Sequence, residues 1–163
     1  MESFLNESDY RKKSEIRVKV SRTLLGLAFG MFTFIAALNP DMLTENVFLA
    51  LQITMAIPFL ISSIFVRSRL SYEKRTKRMA DYGLYTFLIA YTFLINSIGI
   101  MLASTISFYA ALGFFLVNIF GALLYSYIDI IEHRDKLETR IKKDWIFILG
   151  VIVLGILPSA FAV

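Results

Sequence analysis

From Tyr82 to Ile128 the chain runs through 47 consecutive residues without one Asp, Glu, Lys, Arg or His. A single helix of that length would extend roughly 70 Å at ~1.5 Å per residue, more than twice the ~30 Å of bilayer hydrocarbon. The run therefore crosses a membrane twice. Its only weak turn signal, Ala103-Ser104-Thr105, divides it into spans at 82–102 and 106–128. Three more apolar runs lie outside this hairpin, at 23–38, 46–66 and 145–163. The first is closed by Asn39-Pro40, because proline disfavours helical backbone in the residue before it. Asp41 to Glu45 then reads as a short loop. The second run holds Pro58, which removes a helical hydrogen bond from the carbonyl of Thr54. The last opens on Trp145 and contains Gly150, Gly155 and Pro158.

The expected fold is therefore all-α, a polytopic transmembrane bundle of five spans forming one membrane domain over 23–163. A polar arm, residues 1–22, precedes it. Ile16, Val20, Leu24 and Leu27 keep helical spacing across the junction, so the arm's last turns continue into the first span. The arm is long for the front of a cleaved leader, and it is expected to be retained.

Charge adds a topology. All 17 Lys and Arg fall in three segments, six before the first span, six between the second and third, and five between the fourth and fifth. Alternate loops with this bias follow the positive-inside rule and predict a cytosolic N-terminus and an outside C-terminus. Tyr82, Tyr85, Tyr125, Tyr127 and Trp145 gather at the same boundary, as an aromatic belt would. The sidedness accounts for the net charge of +4 without nucleic acid. The expected location is the plasma or inner membrane of a cell.

Composition then excludes chemistry. Hydrophobic residues are 57% of the 163 and charged residues 18%, which leaves no room for a sizeable soluble domain. With no Cys there are no disulfides or thiolate ligands, and the single His133 rules out bis-histidine haem ligation within one chain. The spans contain no charged residue, so a proton relay, a coupling carboxylate and a voltage-sensing arginine row are all absent. Asp129, Glu132 and His133 share a helical face, but three such residues at a membrane boundary read as a solvated face before they read as a metal site. No nucleophile elbow, paired-acid motif or phosphate loop is present. The expectation is a protein that is not an enzyme, with no catalytic residue, metal, cofactor or identifiable small-molecule substrate.

What remains is polar and small residues within the spans. Counting helix rise from each boundary puts Gln52 and Asn96 at a similar depth, roughly 8–9 Å from the outer face, and Thr92 and Asn118 near mid-membrane. These four line a polar path, or they are interhelical hydrogen-bond glue, the commoner role of such groups. In the first span Thr23, Gly26, Gly30, Thr33 and Ala37 form one stripe containing a G-x-x-x-G. Gly26, Gly30 and Thr33 thus mark a close helix contact, within the chain or across a homo-oligomer. Lys74, Arg75, Lys77 and Arg78 crowd a boundary and are candidates for anionic lipid headgroups. Membrane lipids and a second copy are the expected partners. Two functions follow, ahead of a lipid-handling or enzymatic role for which the motif evidence is thinnest. One is a homo-oligomeric passive pore or channel; the other is a structural or accessory subunit that docks a partner through its basic inner loops.

Overall fold

The computed structural model describes residues 2–72, 77–132 and 137–161, and no strand occurs among them. Helix α1 (Glu2–Leu38) is unbroken from the arm into the first span. A five-residue helix α2 (Asp41–Glu45) replaces the expected loop. Thr44 Oγ1 donates back to the Asp41 carbonyl at 3.0 Å, a local bond that the sequence reading passed over. Asn46 then caps helix α3 (Val47–Tyr72), its Oδ1 accepting from the Leu49 amide at 3.0 Å. Helix α3 continues through Pro58.

Helices α4 (Lys77–Thr105) and α5 (Phe108–Glu132) form the hairpin, with its turn at Ile106-Ser107 instead of 103–105. The shift has a local cause. Ser104 Oγ and Thr105 Oγ1 bond the carbonyls of Ile100 and Met101 one turn back, at 3.1 and 2.7 Å, and so sit within the helix. Ser107 is the cap, accepting from the Ala110 amide at 3.2 Å. Helix α6 (Leu137–Val151) passes into a π-helical segment (Ile152–Ile156) and then α7 (Leu157–Phe161).

Among the described residues five helical stretches are long and apolar enough to cross a membrane: Arg11–Leu38, Val47–Tyr72, Arg78–Thr105, Phe108–Ile131 and Arg140–Phe161. The protein is thus an all-α multi-pass membrane protein. In its most apolar 18-residue window the third stretch has 56% of residues buried within the chain and the fourth only 11%. Such a difference separates a helix packed by its neighbours from one that faces lipid or another protein.

The chain divides into two compact units, Met1–Pro40 with Ile53–Tyr91 and Asp41–Gln52 with Thr92–Val163. In the first, α1 turns Ser14, Val18, Ser21, Ala28 and Ile35 inward, positions separated by 4, 3, 7 and 7 residues. Along α3, Ile53, Ala56, Leu60, Ser63, Arg67 and Leu70 are buried at alternating steps of three and four, the period of a helix packed along one stripe. Gly83 of α4 lets Val66 approach, since a Cβ there would lie 3.0 Å from its Cγ1. The core of the second unit is Leu49, Leu94, Ile100, Ala111, Phe115, Phe147 and Val151.

Candidate functional site: buried amides on a broken last helix

In the second unit the polar residues converge on one helix. Asn96 is fully buried, and its Nδ2 donates to the carbonyl of Gly150 at 3.2 Å. Gln52, 2% exposed, donates its Nε2 to the carbonyl of Leu154. Gly150 and Leu154 are one turn apart, so two amides from two helices grip the same strip of backbone. Leu154 is a special acceptor. Its α-helical partner would be the amide of residue 158, which is a proline without an N–H. The helix answers by widening into π geometry over Ile152–Ile156, and Gln52 supplies a donor from outside. Ser159 Oγ bonds the carbonyl of Gly155 at 2.8 Å.

The carbonyl partners fix the orientation of both amides, because only an NH2 group can donate to them. Their oxygens face the other way. Among the described residues Gln52 Oε1 and Asn96 Oδ1, like Ser21 Oγ in the first unit, are buried without a hydrogen-bond partner. Close packing surrounds them. A Cβ on Gly155 would collide with Asn96 Oδ1 and lie 2.8 Å from Phe115 Cε1; one on Gly150 would lie 2.9 Å from Thr92 Cγ2. A Cβ on Gly99 would likewise strike the Phe115 ring. Fully buried Phe115 thus rests against two glycines on two helices.

Asn118 stands apart from this site. It is half-buried on α5, and its Nδ2 bonds the carbonyl of Phe114 in its own helix at 2.8 Å. The stripe of Thr23, Gly26, Gly30, Thr33 and Ala37 is exposed throughout, with nothing within 4 Å of a Cβ on Gly26 or Gly30. Among the described residues, its two glycines have no close neighbour within the chain. Arg78 is exposed, while Lys74, Arg75 and the side chain of Lys77 lie outside the described residues. The same holds for His133 and the side chain of Glu132. Asp129 accepts a bond from Arg140 Nε. The Arg140 guanidinium also covers the Tyr125 ring, 5.0 Å from its centroid, and Ser126 Oγ donates to Asp144 at 2.8 Å. These contacts tie the ends of α5 and α6.

The sequence reading missed Arg67. It is 4% exposed, bonds Ser63 Oγ through Nε at 3.3 Å and lies over the Phe87 ring at 5.6 Å, while its carbonyl accepts from Ser14 Oγ at 2.7 Å. The available signal was a serine four residues before an arginine at a span's end.

Fold and site together define a multi-pass helical membrane protein in which the amides of Gln52 and Asn96 donate to backbone carbonyls of the last helix. No protein-family model matches the chain, and neither a curated protein nor a solved structure matches it.

Proposed function

We infer that this chain is a structural or accessory subunit of a membrane assembly, without enzymatic activity of its own. One observation carries the reading: Gln52 and Asn96 direct their NH2 groups to carbonyls of the last helix and are sealed from solvent. Amides that line a conduit keep donors turned toward it; these two hold helices together. The absence of charge within the apolar runs 23–38, 46–66, 82–102, 106–128 and 145–163 argues the same way, since it leaves no charged group amid the hydrocarbon to couple transport to. Partners are met through the basic loops and the outward faces of α1 and α5. The positive-inside bias supports a cytosolic N-terminus, an outside C-terminus and a cell membrane as the location.

Reconstitution tests it. The purified protein in planar bilayers is expected to give no conductance above protein-free controls, and gentle solubilisation with cross-linking is expected to retain another membrane protein. Steady conductance abolished by Asn96→Leu in a correctly folded protein would overturn the reading.

A second reading, the homo-oligomeric pore, is favoured by the exposed Gly26, Gly30 and Thr33 stripe, where two α1 backbones have room to approach. In that case the conduit lies on a symmetry axis, and conductance rises and falls with cross-linked oligomer.

A further inference from the structure

We propose that the first unit carries a binding site for the phosphoethanolamine headgroup of a membrane lipid, in a cavity between α1 and α3. The proposal stands independently of the accessory reading.

The cavity measures roughly 200 Å³ and is lined by Glu15, Lys19 and Arg22 of α1 and Ser68, Ser71 and Tyr72 of α3, with Val18 as its apolar wall. A water's share of liquid volume is ~30 Å³, so the half-open space has room for a small polar group. Its height fits a headgroup. Arg22 directly precedes the first apolar run, and Ser68 to Tyr72 follow the end of the second by two to six residues. That places the site about 3–9 Å beyond the hydrocarbon edge, in the polar layer of the bilayer.

The lining has the complementary chemistry. Among the described residues, neither Lys19 nor Arg22 has an ion-pair partner. Two cations side by side, with hydroxyls beside them, are a phosphate site. Ser71, 8% exposed, donates to the Ser68 carbonyl at 2.5 Å, a bond between two residues of the cavity wall. Glu15 makes the site selective. A carboxylate one turn from Lys19 opposes a purely anionic ligand and favours one that brings its own ammonium group. Phosphoethanolamine carries both charges: the phosphate meets Lys19 and Arg22, and the ammonium meets Glu15. A choline ammonium has no N–H to donate to Glu15, and a glycerol headgroup leaves Glu15 unanswered.

The full chain in non-ionic detergent is titrated with short-chain phosphatidylethanolamine, phosphatidylcholine or phosphatidylglycerol, or with inorganic phosphate, following the thermal unfolding midpoint. Phosphatidylethanolamine is expected to raise the midpoint at the lowest concentration. Lys19→Gln and Arg22→Gln are each expected to weaken its apparent affinity about fivefold, and Glu15→Gln to abolish its advantage over phosphatidylglycerol. All three side chains are exposed, so the variants should match the parent midpoint without lipid, and native mass spectrometry of retained lipid gives a second readout. Equal effects of ethanolamine and choline lipids would overturn the proposal, as would a Lys19→Gln, Arg22→Gln double variant with parental affinity. Inorganic phosphate matching the lipid at the same concentration would assign the cations to a soluble anion and overturn the lipid site.

Discussion

The side-chain amide of Gln52 donates to the carbonyl of Leu154, the backbone acceptor that Pro158 leaves without an α-helical donor. A donor on one helix thus repairs a defect that proline makes in another. Gln52→Leu removes that donor and is expected to cost about 1–2 kcal/mol, a fall of a few degrees in Tm. Pro158→Ala restores a backbone N–H. In that background the same Gln52 substitution should cost less than half as much. Equal costs in both backgrounds would show that Gln52 acts through packing alone.

Asn96 and Asn118 separate in the same way. Asn96→Leu removes an interhelical bond and forces a branched side chain against the Gly155 and Phe115 contact, so Tm should fall by several degrees. Asn118→Leu breaks only a bond within α5 at a half-buried position and should leave Tm within about a degree. Because the chain has no cysteine, Asn118→Cys also gives a single labelling site without further mutation.

How far these relationships could be read from the sequence follows from where the signals lie. Span number and type were legible because long uncharged runs have no other solution in a chain of this composition. The similar depths of Gln52 and Asn96 followed from helix rise alone, and the structure brings both to one helix, a turn apart. That helix was not legible, because depth leaves rotation about each helix axis open. Pro158 was visible, but its lost N–H gained meaning only once Gln52 was seen beside Leu154. The hairpin turn was misplaced for a chemical reason: serine and threonine signal turns in water, whereas within an apolar run their hydroxyls bond back to their own helix. The outward face of the α1 glycine stripe had no signal at all, since small residues mark close packing without naming the partner.

The glycines sort into two classes that a stability measurement separates. Gly99→Ala and Gly155→Ala drive a methyl group into Phe115, and Gly155→Ala also into Asn96; each is expected to cost about 1–3 kcal/mol. Gly26→Ala and Gly30→Ala meet nothing within 4 Å and should leave the Tm of the isolated chain unchanged or slightly raised, alanine being the better helix former. If an α1 face joins another helix, the latter pair should weaken cross-linking or co-purification while Tm holds. A fall in Tm for Gly30→Ala in dilute detergent would place a neighbour on that stripe.

Arg140 bonds Asp129, approaches the Tyr125 hydroxyl at 3.4 Å and covers the Tyr125 ring, joining the last two turns of α5 to the first turn of α6. The two ionic side chains are 21% and 18% exposed, so their attraction is only partly screened and should exceed that of a fully exposed pair. Arg140→Lys keeps the charge but loses the planar group that lies over the ring while bonding the carboxylate. It should recover less than half of the stability lost in Arg140→Gln, itself about 1 kcal/mol. Raising the salt concentration should shrink the Arg140→Gln effect without removing it, because the aromatic contact persists. Full rescue by lysine, with an effect that vanishes in high salt, would reduce the tie to charge alone.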